Sequence, residues 1–521
     1  MKGVVAAGHP VTAEAGAQVL REGGNAFDAA VAASLAAFVA ESPLTSLGAG
    51  GFALLHCAGG GGDHLLDFFV EAGGRDLDPD ARGVLEAVEI RFDETPQVFN
   101  IGPASCGVPG TAAGLWEVAR RFGTMPFGGL AAAAVRHARD GVRVTPEQAY
   151  VFTILDPILC RYPETAELYR PGGDLLTAGD TFRFPDLGDA LEAIAQEGPG
   201  HLYGGDLGRR ISDWIAERGG LLAPADFAAY EVIERDPVEV TYRDRHVLTN
   251  APPSSGGVLI AYALELLQRW GSPPPLDDPN GLALLAEVMV EASRAREGDF
   301  HNRLHEERFA ERFLGGPHVA EAAGRIGSGL ASHAGGPLGS TTHISVLDGD
   351  GNAASITCSN GSGSGVLAPG TGVHLNNMLG EEDLNPHGFH MHEPGTRVTS
   401  MMAPTLVLRD GEIELAVGSA GSNRLRSAIL QVIRYVVDYG KDAGAAVRMG
   451  RMHYEAGTVH VEPGFSKQAI DELERRGYPV VRWKGLNLFF GGAQAALRDP
   501  ATGELAGAGD PRRGGVAVVV D

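Results

Sequence analysis

The chain has 521 residues, 44% of them hydrophobic, enough to bury a large core as one big α/β unit or as several smaller domains. Its 66 acidic residues against 42 basic ones give a formal net charge of -24, which argues against a polyanion partner, because phosphate backbones are gripped by clustered Lys and Arg. Cys57, Cys106, Cys160 and Cys358 lie far apart without a C-x-x-C pair, Gly8, His9 and Pro10 interrupt the N-terminal apolar stretch, and no run approaches the ~18 apolar residues of a membrane span, so the expectation is a soluble, cytoplasmic protein with neither nucleic acid nor membrane as partner.

The first predicted helix runs from about Thr12 to Arg21, with Ala13, Ala17 and Leu20 on one face and Gly23-Gly24 as its stop. A second begins near Asn25, and its sequence AFDAAVAASLAAFVAE is apolar on nearly every side, the signature of a helix buried between layers. The glycine loop SLGAGG then leads into a strand, FALLHCA. Helices are predicted over Leu130 to Asp140 and Val258 to Arg269, the latter preceded by the stiff turn APPSSGG at Ala251 to Gly257. The segment from Glu321 to Ser340, rich in Gly, Ser and Ala, reads as a mobile connector. A hairpin follows, TTHISVLDGDGNAASITCS, turning at Asp348 to Asn352, and a second spans Pro404 to Val417 about Asp410-Gly411. A helix over about Leu425 to Asp438 completes a layered α/β pattern with antiparallel sheets.

Ordered motifs along nearly the whole chain support a family resemblance. GGNAFDAAVA, GVPGTAAG, FGTMPF and APPSSGG resemble the large subunit of gamma-glutamyltransferases, also known as glutathione hydrolases. TTHISVLDGDGNAAS, LNN at Leu375 to Asn377, SMMAPT at Ser400 to Thr405, GSAGSNR at Gly418 to Arg424 and GELAGAGDPRR resemble the small subunit. The resemblance implies the N-terminal-nucleophile hydrolase fold, a four-layer αββα sandwich with antiparallel central sheets built jointly by both subunits. It also implies one precursor that cuts itself at Ser340-Thr341, giving a large chain of residues 1 to 340 and a small chain of 341 to 521 that stay associated.

Under that resemblance Thr341 is the nucleophile. A threonine hydroxyl needs a base within reach, and the α-amine freed by cleavage titrates near pKa ~7.7 to 8.0 on the same residue. The hydroxyl attacks an amide-like carbonyl, and the acyl-enzyme passes its acyl group to water or to an amine. Ser359 stands at the position of the family's supporting threonine, and Gly421 and Ser422 stand where a glycine pair donates backbone N–H groups to the oxyanion. No cofactor is implied.

Substrate recognition departs from the family pattern. Phe69 in LDFFVEAGG occupies the place of an arginine that holds the substrate's α-carboxylate, so that bidentate clamp is missing there. The family's serine pair before the M-x-P turn is Ser400-Met401, Met378 follows L-N-N in place of glutamine, and Asn360 or Gly361 aligns with the family's asparagine. Glu381 stands for the acid that meets the substrate's amine, and Arg397 and Arg424 are candidates for a substitute cation. The expected partner is therefore a small amide or peptide, γ-glutamyl or related. A same-fold acylase with a different acyl group and an uncut, non-catalytic binding protein are the alternatives. The histidines His387, His390 and His392, with His374, Glu381, Glu382 and Asp383, match no closed zinc pattern, so no metal is assigned and the loop is expected to edge the substrate site.

Overall fold

The computed structural model of the chain describes residues 1–78, 83–92, 95–326 and 341–521. Two antiparallel sheets form its centre. The first has seven strands in the order Val516–Val520, Gly3–Ala7, Thr342–Asp348, Ala353–Ser359, Gly50–Cys57, Gly62–Phe68 and Ile233–Arg235. The second has six, in the order Leu505–Ala508, Gly492–Arg498, Glu412–Ala420, Thr405–Arg409, Arg245–Thr249 and Val238–Tyr242. In the first sheet Gly3–Ala7 is inserted between two strands from after residue 340, and in the second sheet four strands from after residue 340 continue into two from before residue 327, so both sheets are built from both parts of the chain.

The alternation of side chains along a strand divides the core. In Gly50–Cys57, Phe52 and Leu54 face the second sheet, while Ala53 and Leu55 join a separate cluster with the outer helices. That outer layer is led by Pro10–Arg21 and Ala26–Ala40. Every residue of Ala26–Ala40 is buried, as its all-round apolar sequence predicts. Its start is fixed by a capping box in which the Asn25 side chain accepts from the N–H groups of Phe27 and Asp28 while the Asp28 carboxylate accepts from Asn25 N–H at 3.1 Å. On the opposite side, Ser255–Gln268 and Leu425–Val437 cover the second sheet. The layers are α, β, β, α.

The predicted elements meet the observed ones within a few residues, with one correction. Glu321 to Arg325 belong to a helix, Gly316–Arg325, in which Val319 and Ala322 are buried; the rest of the expected connector, with Ser340, lies outside the described residues. The apolar spacing of Val319 and Ala322 outweighs the local glycine content. No described helix is long and apolar enough to cross a membrane.

Candidate active site

Thr341 sits immediately before the strand Thr342–Asp348, in the middle of the first sheet. The register of the hairpin pairs Thr342 with Cys358, which brings Ser359 alongside Thr341. The Thr341 hydroxyl donates to Ser359 Oγ at 3.3 Å, and Ser359 Oγ in turn accepts from Gly361 N–H at 3.0 Å. The carbonyl of Thr341 accepts from Arg513 Nη1 at 3.0 Å. Thr341 is only 4% exposed, so the hydroxyl lies in a site that excludes bulk water.

The end of the strand Glu412–Ala420 delivers Gly421 and Ser422, the residues expected to donate to an oxyanion. Gly421 and Ser422 both adopt positive φ, +123° and +51°, which turns their N–H groups out of the sheet ladder. Among the described residues neither N–H has a backbone acceptor. Ser422 Oγ donates instead to Asp383 Oδ2 at 3.3 Å.

A cavity of about 40 Å3 joins these parts and is lined by Thr341, Ser359, Gly361 and Ser422. Its apolar lining is Phe69, Met378, Leu384, Met401, Met402 and Leu425, with Ser400, Glu381 and Asp383 as its other polar groups. Phe69 stacks on Phe52 at 5.4 Å between ring centroids, so the aromatic side chain is held by the core. Two motifs that are far apart in sequence build this wall together: Ser400 O accepts from Ser255 N–H at 2.7 Å, tying SMMAPT to APPSSGG. Asn377 Oδ1 accepts from Ser362 N–H at 3.0 Å, and Asn376 Oδ1 from Gly107 N–H at 3.1 Å, so L-N-N ties the glycine loop to the large-subunit motif GVPG.

Of the residues selected from sequence, the structure gathers Thr341, Ser359, Glu381, Ser400, Met401, Ser422 and Phe69 around one cavity. It places three others elsewhere. Asn360 donates to Pro43 O and accepts from Ser46 Oγ at 2.9 Å beneath the loop, leaving Gly361 at the pocket. Arg424 pairs with Glu455 and lies over the Phe489 ring. Arg397 binds Phe69 O, donates to Tyr230 Oη at 2.6 Å and Glu231 O at 2.6 Å, and lies near Asp67 and Glu71. Neither arginine lines the cavity. His374, expected beside the histidine loop, is fully buried elsewhere and opposes Leu367, while His392 shares a hydrogen bond with Asn385 Oδ1. None of the histidines lines the acyl pocket.

Leu384, Met402 and Leu425 are not among the residues singled out in the sequence, Asp383 is named there only with the histidine cluster, and their meeting with Phe69 spans more than 300 residues of chain. Burial and the neighbouring Asp383 hold the Glu381 carboxyl well above the usual range. A raised folded-state pKa means that Glu381 favours the folded state fully below the ordinary glutamate pKa, and that this contribution is lost as pH rises through the elevated value. Thermal unfolding from about pH 5 to about pH 9 is therefore expected to show a downward trend in Tm that Glu381→Gln flattens.

Comparison with known proteins agrees with this geometry. The family model described as gamma-glutamyltranspeptidase matches residues 12–520. The chain is 32% identical to the acylase ACY 1 proenzyme of Pseudomonas sp. (strain V22), over 100% of this chain and 94% of that protein. It is 30% identical to the glutathione hydrolase proenzyme of Escherichia coli (strain K12), over 98% and 90%. A solved cephalosporin acylase from Bacillus halodurans superimposes with a TM-score of 0.87 at 26% identity, covering 100% of this chain and 96% of that one. With a family model spanning nearly its whole length and relatives of both kinds matched end to end, the chain belongs to the gamma-glutamyltranspeptidase family.

Proposed function

We propose that the chain cuts itself between Ser340 and Thr341, that the resulting chains 1 to 340 and 341 to 521 remain one globular unit, and that Thr341 then acts as nucleophile on a small amide. The observation that supports this reading is the meeting at Thr341 of a hydroxyl partner, Ser359, and a largely apolar cavity that Ser422 also lines. The Thr341 α-amine takes the hydroxyl proton as Oγ1 attacks the substrate carbonyl. Gly421 and Ser422 N–H groups hold the developing oxyanion. The amine returns the proton to the leaving nitrogen as the C–N bond breaks. Water or an amine then attacks the ester, again giving up its proton to the α-amine, and Oγ1 leaves as the hydroxyl. The interleaved sheets explain why the two chains would stay together: Gly3–Ala7 is hydrogen-bonded between Thr342–Asp348 and Val516–Val520. As in the sequence reading, a cytoplasmic setting is proposed.

The acyl cavity favours an acylase-like substrate over a γ-glutamyl one. No Lys, Arg or His is among its described lining residues, which offer an α-carboxylate no counter-ion to replace its hydration. Phe69, Met378, Met401 and Met402 instead reward a short uncharged chain. In a series of p-nitroanilides with γ-glutamyl, glutaryl and butyryl acyl groups, kcat/KM is expected to be at least about tenfold higher for butyryl than for γ-glutamyl. The reverse order would restore the γ-glutamyl reading.

A further inference from the structure

Two charged side chains lie near the nucleophile without lining the acyl pocket, and the acyl-transfer steps use neither. Glu41 and Arg513 line a separate cavity of about 290 Å3 that also reaches Thr341 and Thr342. Glu41 follows the last turn of the helix Ala26–Ala40, at the negative end of its dipole, and is only 4% exposed. A bare carboxylate is costly there, yet the surroundings are built to accept it. Its Oε1 accepts from Thr12 Oγ1 at 2.8 Å, and its Oε2 accepts from the hydroxyl of Thr342. The backbone makes room for it at Gly8, where a Cβ would come within 2.3 Å of Oε2. Burial pulls the Arg513 guanidinium down to about 10 while Glu41 opposes that shift, and burial pushes the Glu41 carboxyl up while Thr342, Thr12 and Arg513 oppose it; Arg513 donates to the carbonyl of Thr341. One member of the pair thus holds the nucleophile's own peptide group and the other holds the side chain of the next residue.

We infer that Glu41 and Arg513 are positioning residues that also set the proton affinity of the Thr341 α-amine, two side chains of opposite charge on one cavity wall that act on that amine in opposite directions. The inference rests on Thr341 being the freed nucleophile, as proposed above. An amine that serves as base has to be neutral before attack, and in a poorly hydrated site its pKa follows the nearest uncompensated charge. The other titratable groups here leave that task to the pair. His9 and His343 are kept neutral by burial, which pulls them to about 4 and about 3. Burial and Glu41 together push the Cys358 thiol up, so it too stays neutral. Arg512 is paired with Asp510 and Glu462, Asp510 is also paired with Arg451, and Glu147 lies on the cavity wall. Glu381 and Asp383 face Thr341 from the acyl side.

The test is the pH dependence of kcat/KM on the fastest p-nitroanilide of the series above, whose acidic limb reports the base of the free enzyme. Glu41→Gln keeps one acceptor oxygen, turns the other contact into an N–H donor to a threonine hydroxyl, and leaves Arg513 uncompensated; the limb is expected to move to lower pH by about one unit. Arg513→Met leaves Glu41 uncompensated and is expected to move it to higher pH by a similar amount, whereas Arg513→Lys, which keeps the charge, returns it towards the wild-type position. If Glu41→Gln does not accumulate as folded protein, the two Arg513 variants carry the comparison. Opposite displacements support the inference. Limbs that stay put, or move together, in chains that have cut themselves and turn over substrate overturn it and leave the role of Thr341 standing; a wild-type chain that never cuts removes instead the reading on which it rests.

Discussion

Replacing Thr341 by alanine is expected to leave a single uncut chain of 521 residues and to lower turnover at least about 10³-fold. The reason is local. Thr341 is the residue whose hydroxyl meets Ser359 Oγ, whose carbonyl is held by Arg513 and whose side chain borders the acyl cavity. Alanine keeps the strand and the carbonyl contact but removes the atom that would attack both the peptide bond before it and the substrate. Thr341→Ser retains that atom, so it is expected to cut itself and to keep kcat within about tenfold of wild type. Intact-mass measurement after incubation at neutral pH reads the first outcome, and release of p-nitroaniline reads the second. A Thr341→Ala chain that still separates into two fragments would place the nucleophile elsewhere; an uncut wild-type chain would point to the binding-protein alternative.

Much of this site was legible in the sequence because its parts are local. The turn at Asp348 to Asn352 fixes the hairpin register, and that register alone sets Ser359 beside Thr341. The glycine of GSAGSNR marks a place where the chain must leave the sheet with positive φ, which is where the structure has Gly421 and Ser422. Recognition was less legible because it depends on where long side chains end. Arg397 and Arg424 have the right charge for a carboxylate clamp, but each is held by acids from distant parts of the chain, Asp67 and Glu71 in one case and Glu455 in the other. Asn360 is drawn under the loop by Ser46 and Pro43, contacts more than 300 residues away in sequence. Glu41 is illegible in the sequence for the same reason. Its neighbours Thr342 and Arg513 are 300 and more residues away, and a lone Glu at the end of an apolar helix gives no periodic signal. The helix over Glu321 to Arg325 is hidden in the sequence by its glycine and alanine content, and only the spacing of the buried Val319 and Ala322 marks it.

Gly421→Ala is expected to cost about 10² to 10³ in kcat, or about 2.7 to 4 kcal/mol, with little change in KM. At Gly421 φ is +123°, outside the range an L side chain adopts readily, and an added Cβ would lie 2.9 Å from Gly491 Cα. Both effects push the same way. Gly491 is backbone, so nothing flexible can give, and the turn must rotate to relieve the contact. Rotation carries the N–H groups of Gly421 and Ser422 away from the place where the oxyanion forms, while the apolar wall that binds the acyl chain is untouched. Ser422→Gly is the matching control. It preserves the N–H, relieves a side chain held at φ +51° and gives up only the 3.3 Å bond to Asp383, so kcat is expected to stay within a few-fold of wild type. Kinetics on protein whose cleavage has been verified by mass separate the two variants. Equal losses in both would mean that the Ser422 hydroxyl, through Asp383, carries the effect, whereas a loss confined to Gly421→Ala means that catalysis depends on the direction of two backbone N–H groups and not on the side chain that replaced the family's second glycine.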